Sequence, residues 1–152
     1  MGGHVHVAGV AGVGMSALAQ ALRWTHDRVT GSDRFFDQGQ DLPIFAALRA
    51  AGVELVKQDG AAVTARTAAV VYSTAIEKDN PEVVAAQRAG VPLRHRAEML
   101  ADLARGRTVL AVAGTAGKTT TTGMLGWTLE QLGADPTVVN GGALVDWADA
   151  RR

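Results

Sequence analysis

The chain has no cysteine, so neither a disulfide framework nor a thiolate metal site is possible. Its 15 basic residues balance its 15 acidic ones, and without a basic excess a dedicated nucleic-acid surface is not expected. Aromatic residues make up only 5% and there are four prolines. No apolar run reaches the ~18 residues a membrane span requires. The start, MGGHVH, lacks the basic stretch and apolar core of a secretory signal. No membrane partner is expected, and a cytoplasmic setting suits the missing cysteines. What is present is 47% hydrophobic residues and 18 glycines in 152 residues, the composition of a globular protein with many tight turns.

Short β-type runs alternate with helical patterns. Residues 4–8 read as a first strand and 14–24 as a helix, with Met15, Leu18, Ala19 and Leu22 on one face and Trp24 expected to pack. Residues 28–31, 53–56, 68–73 and 91–94 read as further strands. Residues 42–51 and 97–105 read as helices, as does the stretch that Asn80 caps, Pro81 opens and Gly90 stops. Such alternation predicts an α/β fold: a doubly wound, Rossmann-like parallel sheet. It closes near residue 104. A second unit over 105–152 is expected to open with a strand at 108–113, a phosphate loop and a helix at about 118–132, and to reach a strand at 137–139. One β-α-β piece cannot cover both faces of a sheet, so this unit reads as an incomplete P-loop ATPase-type segment.

Two glycine loops carry the chemistry. The first, GVAGVGMS at 9–16, follows a strand and opens a helix in the outline of a G-x-G-x-x-G turn, with Ala11 at the middle glycine. Asp33, at the end of the second strand, is placed to accept a ribose hydroxyl. Such a loop holds a pyrophosphate, and by itself does not separate a dinucleotide from a UDP-sugar. A tight turn without ligand is the plain alternative. The second loop, GTAGKTTTT at 114–122, is the short form G-T-x-G-K-T, because Val112 stands where a full Walker pattern has its first glycine. Lys118 can reach outer phosphates and the Thr119 hydroxyl can sit on magnesium.

Other polar residues have plainer readings. His4 and His6 alternate on one strand and share a face; two ligands do not make a metal site, and a surface or strand-end role is expected. His95 and Arg96 lie past the fifth strand, either at a ligand phosphate or in a solvated loop. Trp127 is expected in the core of a completed domain, and Trp147 exposed.

The two loops, with GSD at 31–33, STAI at 73–76, NPE at 80–82, RAEML at 96–100, DPT at 135–137 and the pair Gly141–Gly142, resemble the Mur ligase family in order and spacing over nearly the whole chain. The resemblance implies an enzyme of peptidoglycan biosynthesis. Such an enzyme binds a UDP-sugar (UDP-N-acetylmuramate or a relative) in its first domain, ATP and Mg2+ in its second and the incoming amino acid in a third. It implies that Gly9, Ala11, Gly12, Val13, Gly14, Met15 and Ser16 cradle the pyrophosphate, that Asp33 sits by the uridine, and that Ser73, Thr74 and Ala75 line the same cleft. It further implies that Gly114, Thr115, Ala116, Gly117, Lys118, Thr119 and Thr120 bind ATP, that Lys118 and Thr119 are the catalytic pair, and that Thr119 is the magnesium ligand. The family loop usually has His at the position of Ala116. Lacking further domains, the isolated chain is expected not to ligate, and self-association is open to it. The rivals are a ligase of wall-peptide recycling, an NAD-binding regulatory or oxidoreductase domain, which leaves 114–122 without a role, and an interaction module using the helix at 118–132.

Overall fold

A computed structural model of the protein describes residues 2–142. The chain forms two compact units, Met1–Arg105 and Gly106–Arg152. The first contains β1 (His4–Ala8), α1 (Val13–Leu22), β2 (Arg28–Ser32), α2 (Arg34–Asp37), α3 (Pro43–Ala50), β3 (Glu54–Val56), β4 (Thr67–Tyr72), α4 (Pro81–Ala89), β5 (Leu93–His95) and α5 (Arg96–Ala104). The second contains α6 (Lys118–Gln131).

The five strands form one parallel sheet in the order β3-β2-β1-β4-β5. The chain steps outward from β1 through β2 to β3, then returns to the other side of β1 with β4. The order therefore reverses between β1 and β4, and the carboxyl ends of these two strands flank a crevice, the usual ligand position of open α/β sheets.

Strand periodicity decides what each face buries. Val5 and Val7 of β1, Val29 of β2 and Val71 of β4 join Leu18 and Leu22 of α1, Phe45 and Leu48 of α3 and Met99 of α5 in the main core. Phe45, Leu18, Leu22 and Leu48 are fully buried, each contributing about 1.5–3 kcal/mol of transfer free energy. The opposite face, under α4, has a smaller apolar cluster of Val63, Val70, Ala86 and Val91.

The remainder of that second face is polar. His6 is completely buried, its Nδ1 2.8 Å from Thr30 Oγ1 and its Nε2 3.1 Å from Ser32 Oγ. Glu82 of α4, equally buried, brings Oε2 to 3.4 Å from His6 Nε2, while its Oε1 accepts the Gly60 N–H at 3.4 Å. Burial, reinforced by the charge of His4, lowers the His6 pKa to about 3, so the imidazole is neutral at pH 7. Burial raises the pKa of Glu82, against the opposing hydrogen bonds from Ser32 and Gly60. The surface or strand-end role expected for His6 is thus corrected: it is an interior hydrogen-bonding residue. His4, at the strand start, is half-buried and bonds Thr30 and Thr67. Among the described residues no cluster of three or more metal-ligating side chains occurs.

The termini of α4 follow local rules. Asn80 Oδ1 accepts the Glu82 N–H at 3.0 Å, Pro81 opens the helix, and Gly90 at φ 66° ends it. Trp24, expected to pack, lies past the end of α1 and is 55% exposed.

The strands expected at 108–113 and 137–139 are absent; α6 forms between two unpaired segments. A strand exists through ladder hydrogen bonds to a neighbour, and within the described residues of this unit neither segment has one. Met124, Trp127, Leu132, Val109 and Leu110 are all exposed. Trp127, expected in the core of a completed domain, is exposed in this unit, and Trp147 lies outside the described residues.

Candidate functional site

The first loop turns immediately after β1. Gly9 adopts φ 68°, a conformation that favours glycine, and its N–H and that of Val10 both donate to Ser32 O, at 2.9 and 3.0 Å. Gly12 N–H closes the turn on Gly9 O at 3.1 Å, and Gly12 is then the N-cap of α1. Its carbonyl accepts the N–H groups of Met15 and Ser16, both at 2.8 Å.

Asp33 fastens the loop from below. Its Oδ2 accepts the Ala11 N–H at 2.9 Å, and its Oδ1 caps α2 through the Phe35 N–H at 3.0 Å. The carboxylate is 5% exposed and turned toward the loop backbone. Sequence reasoning placed Asp33 beside the nucleotide; the structure gives both its oxygens backbone partners as well. Helix α2, which Asp33 opens, was not anticipated, because four residues carry no periodicity.

These bonds leave the N–H groups of Val13 and Gly14 without a partner among the described residues. They open the ten-residue α1, whose first turn carries no acidic side chain. Two free amides at the positive end of a helix form an anion cradle. Of the predicted cradle residues, Gly12 and Val13 are exposed, Gly9, Ala11 and Gly14 half-buried, and Met15 and Ser16 buried. Met15 packs into the core, and the Ser16 hydroxyl donates to Val13 O at 2.9 Å. These last two therefore shape the loop through packing and helix bonding.

Ser73, Thr74 and Ala75 form a turn past the carboxyl end of β4, closed by Ile76 N–H to Ser73 O at 3.0 Å. Ile76 Cδ1 lies 2.8 Å from where a Cβ on Gly9 would stand, so this turn abuts the glycine loop. His95, weighed for a ligand role, is the N-cap of α5: its Nδ1 accepts the Ala97 N–H at 3.3 Å, Glu98 Oε2 accepts the His95 N–H at 2.9 Å, and its ring meets Tyr72 edge-on. Arg96 stands beside the loop, and a Cβ placed on Gly14 would collide with its Nη1.

The second loop lies wholly in the other unit. Gly117 takes φ 76° and is the N-cap of α6. Lys118 Nζ folds back over the turn and donates to Gly114 O at 2.5 Å and Thr115 O at 3.3 Å. Thr115, Ala116, Thr119 and Thr120 are exposed at the same helix start. Asn140 Nδ2 donates to Thr119 O at 3.0 Å. A lysine curled over a Gly-rich turn at a helix N-terminus, with a threonine hydroxyl next to it, fits a magnesium-bound nucleoside triphosphate.

The sheet order, the crevice and the glycine loop define a Rossmann-like α/β protein with a phosphate-type turn. Residues 4–108 match the Mur ligase family, catalytic domain, and the chain belongs to the Mur ligase family. It is 41% identical over 150 residues to the UDP-N-acetylmuramate–L-alanine ligase of Novosphingobium aromaticivorans, covering 99% of this chain and 31% of that protein. To the enzyme of the same name from Sinorhizobium fredii it is 44% identical over 142 residues, covering 93% and 29%. The chain thus spans about three tenths of the length of the curated relatives it matches.

Among solved structures, the UDP-N-acetylmuramate-alanine ligase of Thermotoga maritima superposes with a TM-score of 0.82 at 32% identity, covering 95% of this chain and 33% of that one. A murein peptide ligase from Psychrobacter arcticus gives 0.75 at 32% identity, covering 86% and 27%.

Proposed function

We propose that the chain carries the UDP-sugar site and the ATP phosphate loop of a ligase that joins L-alanine to UDP-N-acetylmuramate. The observation that carries this reading is the pair of free amides, Val13 and Gly14, opening α1 at the strand-order reversal, in a chain so similar to ligases of that name.

In this reading the first loop receives the diphosphate, and the turn at 73–75 borders the sugar side of the crevice. Asp33 holds the loop and stands on the uridine side. In the second unit Gly114–Thr120 wrap the triphosphate, Lys118 exchanges its two carbonyl partners for outer phosphate oxygens, and Thr119 offers its hydroxyl to magnesium. Bound with magnesium, ATP would give its γ-phosphoryl group to the muramate carboxylate and leave as ADP, and the amine of L-alanine would displace phosphate from the acyl phosphate to form the amide. What the residues contribute is position and charge neutralisation. The setting is the cytoplasm, where UDP-sugars are made; no helix among the described residues is long and apolar enough to cross a membrane.

The murein peptide ligase reading is supported by a structural likeness of its own, and it shares the nucleotide while differing in the amine joined. The sequence identity to the L-alanine ligases, 41% over 99% of this chain, favours the first. Titration calorimetry of this chain with UDP-N-acetylmuramate tests the shared site: saturable heat is expected, with none from NADH. Absence of heat at millimolar UDP-sugar overturns the reading, and NADH binding at the first loop favours the dinucleotide rival.

A further inference from the structure

The geometry points to Arg96 as the cation that grips the diphosphate at the first glycine loop. This inference rests on the reading of that loop as a UDP-sugar site. Three observations converge on it.

The first is proximity. Arg96 Nη1 lies so close to Gly14 that a Cβ there would overlap it. Gly14 bears one of the two amides the loop leaves without a partner. The missing side chain at 14 therefore does more than let a phosphate approach the backbone: it gives a guanidinium room over the same amide.

The second is availability. Among the described residues Arg96 has no hydrogen-bond or ion-pair partner, and it is exposed. Its neighbour in sequence differs. Arg94 binds Glu98 at 3.2 Å and Asp102 at 2.9 Å, so both nearby carboxylates of α5 are engaged by it. All five donors of Arg96 remain open, and a guanidinium fork matches two phosphate oxygens at once.

The third is topology. Arg96 begins α5 at the carboxyl end of β5, next in the sheet to β4, whose own end carries Ser73–Ala75, and β4 is next to β1. Backbone amides and a free cation thus meet from two elements at the crevice. The cradle by itself supplies only partial charges; Arg96 adds a full one where a diphosphate would bring negative charge. A nucleoside without phosphates would gain nothing from it.

Calorimetry of the whole chain with UDP, UMP and uridine tests the assignment. For Arg96→Gln, UDP binding is expected to weaken by about tenfold or more, while uridine binding and the thermal midpoint stay at wild-type values. Arg96→Lys, which keeps the charge and loses the fork, is expected to fall between. Gly14→Ala, whose methyl displaces the guanidinium, is expected to weaken UDP and spare uridine. Wild-type affinity for UDP in Arg96→Gln overturns the inference and leaves the site reading intact. An equal loss for UDP and uridine, or a lowered thermal midpoint, overturns it in favour of a structural role. If the wild-type chain binds none of the three, the reading of the site falls and the inference with it.

Discussion

Asp33 Oδ2 accepts the N–H of Ala11 at 2.9 Å, and through this bond one carboxylate ties the glycine loop to the end of the neighbouring strand. The same side chain caps α2. Replacing it with Ala removes the partner of the half-buried Ala11 amide, at a cost of about 0.5–1.5 kcal/mol. Urea unfolding of Asp33→Ala is expected to show that loss, and UDP binding to weaken as the loop loses its fixed shape. An unchanged urea midpoint would mean that the tie contributes nothing to the fold.

Gly31 faces Val10 at close quarters. A Cβ on Gly31 would stand 2.7 to 2.9 Å from three carbons of Val10, a buried core residue. Gly31→Ala is therefore expected to destabilise the first unit by about 1–3 kcal/mol through overpacking. Val10→Ala removes the two γ carbons but keeps the Cβ at 2.8 Å, so it relieves part of the clash, and Gly31→Ala with Val10→Ala should lose less than the two single changes added together. A double-mutant cycle on unfolding free energies checks this, and strict additivity would rule it out.

The buried His6 gives a pH dependence with a definite sign. Its folded pKa of about 3 lies far below the ordinary 6.5, so the unfolded chain takes up a proton in that interval and the folded one does not. Stability is expected to fall as pH drops from 6.5 toward 3, with a limiting slope of about 1.4 kcal/mol per pH unit. Glu82 acts in the opposite sense: its raised pKa adds stability below the ordinary 4.5, and this is lost as pH rises through the folded value. Glu82→Gln keeps an acceptor for Gly60 and removes the ionisation. It should unfold at neutral pH no more easily than the wild type while retaining the acid-side loss that His6 causes. Chemical denaturation at a series of pH values reads both effects.

Lys118 is exposed and, among the described residues, bonded only to loop carbonyls of its own turn. Lys118→Met is expected to leave the unfolding transition within about 0.5 kcal/mol of wild type, as for other exposed positions. Magnesium–ATP binding, by calorimetry, is expected to be lost in the same variant. Retained ATP affinity would remove Lys118 from the phosphate site.

Where local chemistry sets the structure, the sequence was a good guide. Asn80, Pro81 and Gly90 marked the limits of α4. The alternation of strands with helices implied the parallel sheet, and the first glycine turn was placed correctly at the carboxyl end of β1. What escaped depends on partners distant in sequence. Polar His6 on β1 resembles a surface residue until Thr30 and Ser32 arrive from β2 and Glu82 from α4. The strand expected at 108–113 has the right residues, yet a strand needs a neighbour, which its own composition cannot provide. The approach of Arg96 to Gly14 joins residues from opposite ends of the first unit, and no spacing rule encodes it.

The two faces of the sheet should also come apart in a set order. Large interlocking side chains hold α1, α3 and α5 to one side, whereas α4 rests on a handful of small apolar residues and a hydrogen-bonded interior group. Amide protons of α4 should accordingly exchange with deuterium well before those of α1, so that the layer beneath β4 and β5 loosens while the wall bearing the glycine turn stays intact.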